Sequence, residues 1–217
     1  MRSFGFIFTI VLFFAFSVFA DIQSSHHDFS GASWSNNEIC LPCHTPHDAN
    51  MEVPDSPLWN HQITGAAFQL YTSSTLNAFP GEPDGKSKLC LSCHDGTVAI
   101  ENHSGNTNGT RYTNAGRVGT DLRDDHPISF VYNSALASED GELYDPGTTQ
   151  SGLGGTIEED LLENGKVQCT SCHDVHISRN NQGCAGCHNV HGQMYLQTLS
   201  LWKSNNNSSL CLTCHKK

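Results

Sequence analysis

Apolar and polar positions divide this chain into two unequal parts. Phe4 to Phe16 is a mostly apolar run, and the uncharged stretch extends from Ser3 to Ala20 behind one cation, Arg2. A positive start, an apolar middle and the small residue Ala20 predict a secretory signal peptide over residues 1–20, cleaved before Asp21. The run lies at the short edge of a membrane span, which takes about 20 apolar residues. No cysteine follows the cleavage point to carry a lipid anchor. No later segment is apolar enough to cross a bilayer, so no stable membrane span is expected after cleavage.

Beyond Asp21 large aliphatic residues are sparse, and Gly, Asn, Ser and Thr are abundant. The stretch from Asp95 to Gln168 reads as mostly loop. Turn signals stand at Asn108-Gly109, Asp140-Gly141 and Gly152-Leu153-Gly154-Gly155. Within it, Ile128 to Tyr132 is strand-like and Ile157 to Leu162 is a short helix candidate. Ser204 to Ser209 is a further loop. The whole 95–168 segment is expected to wrap over other parts of one domain, 21–217, and not to link two domains.

Removing the leader leaves 197 residues, a length suited to one domain. So polar a chain would struggle to bury enough apolar area to offset its conformational entropy. Something apolar besides the side chains is therefore expected in the interior. The formal charge of −11 becomes −12 once Arg2 is removed. Phosphate binding needs a basic surface, so nucleic acid is excluded as a partner. The acidity speaks to solubility and repulsion, not to fold.

The ten cysteines decide the chemistry. All of them fall in five C-x-x-C-H units: Cys40–Cys43–His44, Cys90–Cys93–His94, Cys169–Cys172–His173, Cys184–Cys187–His188 and Cys211–Cys214–His215. This is the attachment site of c-type haem. Two thiols form thioethers with the porphyrin, and the adjoining imidazole of His44, His94, His173, His188 or His215 becomes the proximal ligand of iron. Tetrahedral zinc would use C-x-x-C units in pairs, which makes five an awkward number, and would need no histidine after every second cysteine. A disulfide network would not repeat one tight spacing five times. Five haem c groups, about 39 residues each, supply the missing apolar interior. No folded protein is expected without them.

Eight further histidines remain: His26, His27, His47, His61, His103, His126, His176 and His191. A second histidine closes a haem iron for electron transfer, whereas an empty sixth position permits binding and reaction of a small molecule. Eight spare imidazoles exceed five sixth positions. His27, His47, His61, His126, His176 and His191 are the expected distal ligands, with His26 as substitute for His27. His103 is the one most readily dispensed with. Asp125-His126-Pro127 fixes the backbone beside a pre-aimed His126. His47, His176 and His191 each follow a proximal histidine by three residues. Side chains so spaced lie on one face of a turn, about 5–6 Å apart at Cβ. They cannot approach one iron from opposite sides, so each should reach a neighbouring haem and clamp two porphyrins together. Met51 and Met194 are lesser candidates. No catalytic residue is expected. Asn102 and Asn108 begin glycosylation-type tripeptides, a frequent motif.

Several runs resemble one family. They are Ser25-His26-His27-Asp28-Phe29-Ser30, Ile39 to His47, Pro57-Leu58-Trp59-Asn60-His61, Leu89 to Ala99, Asp125 to Phe130, Val167 to His176 and Leu210 to Lys217. Together they are similar to exported multihaem cytochromes of the doubled C-x-x-C-H type, close to the OmcE-like tetrahaem extracellular cytochromes that polymerise into conducting filaments. The resemblance implies a multihaem cytochrome c fold, mostly irregular loops with short helices and few strands wrapped around a stack of bis-histidine haems. It also implies a homopolymer in which a ligand histidine, here His26 or His27, reaches the next subunit. Cys184 to His188, with His191, departs from the four-haem pattern as an added fifth site. Redox partner proteins or an extracellular electron acceptor are the implied partners. The location is outside the cell or at its surface, and alternatively periplasmic. The competing readings are a monomeric periplasmic shuttle and a multihaem reductase with one open iron.

Overall fold

The computed structural model describes residues 22–23, 25–114, 116–176, 203 and 205–216. The expected signal peptide, the fourth motif from Cys184 to His188, His191 and Met194 lie outside the described residues. Most of the described chain is irregular. Regular structure there consists of four short helices, a few 3-10 turns and one two-stranded ribbon. None of the described helices is long and apolar enough to cross a membrane.

Helix α1, Gly85–His94, carries the second motif on its last turn. Cys90, Cys93 and His94 stand at i, i+3 and i+4, which places all three on one face. Leu89, Leu91, Ser87 and Ser92 are buried on the others. The helix ends because Gly96 takes a left-handed φ of 75°, which a residue with a Cβ resists, and its N–H turns back to the Cys93 carbonyl at 3.4 Å.

The segment expected to be wrapping loop is more ordered than its composition predicts. Strand β1, Phe130–Val131, pairs antiparallel with β2, Lys166–Val167, in the register Phe130 opposite Val167. The strand-like reading of Ile128 to Tyr132 therefore centres on the observed strand. Helix α2, Ser134–Asp140, was not expected. The Asn133 side chain caps its start by accepting from Leu136 N, and Gly141 at φ 77° ends it. Helix α3, Ile157–Leu161, falls where the short helix was expected, set by a reciprocal capping box between Thr156 and Glu159. Phe130, Tyr132, Leu136, Ala137, Ile157, Leu161 and Val167 pack into one apolar cluster, with Leu143 and Cys214 against it. This cluster is a core of protein side chains.

Two contacts fasten the motifs to that core. The last motif, on helix α4 (Cys211–Cys214), bridges back through Tyr144 N to Cys214 O at 2.8 Å and Lys216 N to Glu142 O at 2.8 Å. The third motif opens in a 3-10 turn, Cys169–Ser171, that docks on α1 by Cys169 N donating to Ser87 Oγ at 2.9 Å. Two smaller apolar clusters, one around Trp59 and one around Phe68, cover the rest of α1.

Candidate haem-ligand sites

Three motifs share one backbone device. His44 N, His173 N and His215 N donate to the carbonyls of Cys40, Cys169 and Cys211 at 2.8, 3.0 and 3.0 Å. The C-x-x-C-H unit is thus a single helical turn, and the second motif sits in a full helix with the same spacing. That turn gathers two thiols and an imidazole on one side, which suits one porphyrin edge and its iron.

Residues distant in sequence supply a second imidazole to three of these turns. His44 faces His176 with ring centroids 6.0 Å apart, His94 faces His27 at 5.9 Å, and His215 faces His126 at 6.4 Å. Two metal–nitrogen bonds of about 2 Å, with each ring centre about 1 Å behind its nitrogen, put the centroids of a shared metal's ligands about 6 Å apart. The spacing in all three pairs fits an iron between the rings. His176 pairs with His44 and not with His173, three residues before it.

The other ring nitrogens are tied down. Nδ1 of His44 contacts the Pro57 carbonyl at 2.6 Å, that of His94 the Gly116 carbonyl at 2.7 Å, and that of His126 the Pro127 carbonyl at 2.8 Å. His176 Nδ1 lies 3.0 Å from Asp174 Oδ1. An N–H donated at Nδ1 leaves the lone pair on Nε2, the arrangement that orients metal-ligating histidines. Ligation also needs the neutral ring. Burial, then the nearby His94, His26 and His176, pushes His27 down to about 4.

The remaining histidines divide by burial. His61 is 2% exposed, with Nδ1 at 2.8 Å from Gln62 O, Nε2 at 3.0 Å from Ala99 O and 3.5 Å from Cys93 Sγ. Burial lowers its pKa against those two carbonyls. A neutral imidazole has one N–H, so one of its nitrogens faces a carbonyl lone pair to lone pair. His103, expected to be dispensable, is also buried, under Trp34 and 3.2 Å from its carbonyl. His26 and His47 are exposed. His47 and His61 line a common cavity of about 540 Å³ whose other walls include Asp48, Glu52, Asn60 and Asn102.

The thiols converge as well. Cys90 hydrogen-bonds Cys169, which raises the first and lowers the second. Burial pushes Cys43 up to about 11, Cys93 well up, with Cys43 adding to it, and Cys214 up to about 11. Among the described residues no group of three or more His, Cys, Asp or Glu side chains is arranged to hold a bare metal ion. Sulfurs of motifs one and two, and of two and three, instead lie close together.

Two features went unread in the sequence. Asp95, fully buried after His94, accepts from Thr64 Oγ1 at 2.5 Å and from Thr97 N at 2.7 Å, pinning the chain after His61 to the second motif. An Asp-Gly-Thr turn signal after the motif was the available hint. The second is Trp59, whose indole nitrogen is buried without a partner. Its presence beside His61 in the motif Trp-Asn-His was visible, its solitude was not.

Residues 178–217, which contain the last two C-x-x-C-H units, match the doubled CXXCH motif family. The match supports a multihaem c-type cytochrome, with covalently bound haem and electron transfer as its chemistry. No curated protein matches the chain.

Proposed function

We propose that this protein is an exported electron carrier holding five haem c groups, each iron closed by two histidines. The observation that carries this reading is the set of three imidazole pairs spaced for a shared iron, His44–His176, His27–His94 and His126–His215. Haem supplies a one-electron couple. The chain's part is to attach it by the thiols, to orient His44, His94, His126 and His176 through the groups their Nδ1 atoms contact and to shield the irons from small-molecule ligands. His47, His61 and His191 are the candidates for the sixth positions at His173 and His188. The convergence of Cys43 with Cys93 and of Cys90 with Cys169 supports close haem edges, in the order first, second, third motif. Such closure favours transfer over catalysis, so the protein is a carrier and not an enzyme.

The test is intact mass joined to electron paramagnetic resonance of the oxidised protein. Five haem additions and a wholly low-spin spectrum are expected. Fewer additions sink the five-haem reading, and a high-spin iron in the native protein restores the reductase.

The assembly we propose is a filament outside the cell, supported by resemblance to the filament-forming cytochromes and by the exposed His26 beside an engaged His27. Electron microscopy of the secreted, haem-loaded protein decides it. Ordered filaments repeating by about one subunit are expected. Discrete single chains across concentration and salt leave the monomeric shuttle.

A further inference from the structure

Among the described residues, Trp59 Nε1 is the one buried side-chain polar atom without a hydrogen-bond partner. The contrast with its surroundings is informative. Thr64, Ser87, Ser92, Asp95, Asn102 and His103 are all buried nearby in sequence or space, and each has a partner. Leaving a buried donor unpaired forfeits its hydration with nothing in return. A ring able to turn toward solvent would avoid that cost.

Trp59 cannot turn. Its backbone bridges to His44, Asn50 N donates to its carbonyl at 2.6 Å, and the residues on either side bond to the first motif: Thr45 N to Leu58 O at 2.9 Å and Asn60 N to Cys43 O at 3.0 Å. The indole is 8% exposed, packed with Val53, Ile63, Leu89 and Cys43, and edge-on to His61 at 6.3 Å. The cluster it belongs to joins Cys43 of the first motif to Leu89, the residue before Cys90 of the second.

We infer that the Trp59 indole N–H donates to a propionate carboxylate of a haem held at the first two motifs. The inference rests on the haem reading above. Haem brings one class of strong acceptor into such a site, its two carboxylates, and an N–H···carboxylate bond is the stronger, charge-assisted kind. Trp59 then acts as a positioning residue. It anchors one edge of the porphyrin and withdraws negative charge from it, which favours the reduced iron and raises that haem's midpoint potential.

The reduced holo-protein provides the test, because low-spin ferrous haems are diamagnetic and sharp in proton NMR. The Trp59 indole N–H should give a nuclear Overhauser cross-peak to haem propionate methylene protons. Cross-peaks only to protein protons or to water overturn the inference, and need no variant to do so. In Trp59→Phe, which keeps the ring and removes the donor, haem content should stay at five while one midpoint potential falls. Unchanged potentials in a fully loaded variant also overturn it. Wild-type protein lacking haem at the first two motifs would instead fail the reading on which this rests, and the intact mass tells the two apart.

Discussion

At the scale of single residues, the ring-plane angles within the three imidazole pairs make each pair separately visible. His44 and His176 are near parallel at 24°, whereas His126 and His215 are near perpendicular at 78°. Parallel imidazoles donate π density along one direction and split the iron d orbitals strongly, giving a rhombic low-spin spectrum. Perpendicular ones act equally on both orbitals and leave a strongly anisotropic signal with a large first g value. His126→Ala should therefore delete the anisotropic signal and create one high-spin iron, with five haems still attached. His176→Ala should do the same to a rhombic signal. Retention of both signals in either variant would reassign the pair. These partners were half legible in the sequence. Side chains three residues apart cannot grip one iron from both sides, and that spacing sends His176 elsewhere. It could not say where, because His44 and His176 are brought together by contacts far apart in the chain. His103 shows the opposite failure, since a histidine in an Asn- and Gly-rich run looks exposed until Trp34 covers it.

Among the elements, the hairpin and α1 meet at Asp84, and the contact is electrostatic. The Asp84 carboxylate takes Lys166 Nζ from β2 and Gln168 Nε2 at 2.8 Å, while Glu163 lies near Lys86 beside it. Burial opposes ionisation of Asp84, but bonds from Lys166 and Gln168 outweigh it and hold its pKa below the ordinary 3.8. A carboxyl depressed in the folded state adds stability above its unfolded pKa, and that stability is lost as pH falls through the folded value. Asp84 is nearly half exposed, so solvent screening limits the pair to about 1 kcal/mol or less. Asp84→Asn holo-protein should show a lower guanidinium midpoint than wild type near neutrality, and the difference should vanish on acidification below the ordinary carboxylate range. An equal gap at all pH values would make the contact one of shape, not charge. This junction matters to the site because Gln168 precedes Cys169, so the third motif is aimed at Cys90 from here. The sequence allowed the α3 helix to be read from Thr156 and Glu159. It did not reveal α2, whose seven residues bury only Leu136 and Ala137 and whose stability comes from the cluster it joins.

For the whole molecule, the predominance of irregular chain with few short elements was legible because it follows from a shortage. Too few aliphatics for a conventional core, with ten thiols in five identical units, require apolar cofactors. What was not legible is that 95–168 keeps a core of its own around Ile157 and Tyr132. That core supports the last motif, since Cys214 packs on it, and Ala78 from the chain between the first two motifs packs there as well. The two N-terminal histidines differ in their surroundings. His27 is engaged with His94 inside its own chain, 5.9 Å away, while His26 beside it is exposed. A filament that borrows a histidine from the next subunit would have to take His26, because withdrawing His27 would open the second haem. His26→Ala should abolish filaments in electron micrographs and leave the low-spin spectrum of the single chain intact. His27→Ala should produce a high-spin iron even in dispersed chains. If His26→Ala filaments persist, the joint between subunits is made by other residues; if His27→Ala remains wholly low-spin, the pairing with His94 is wrong.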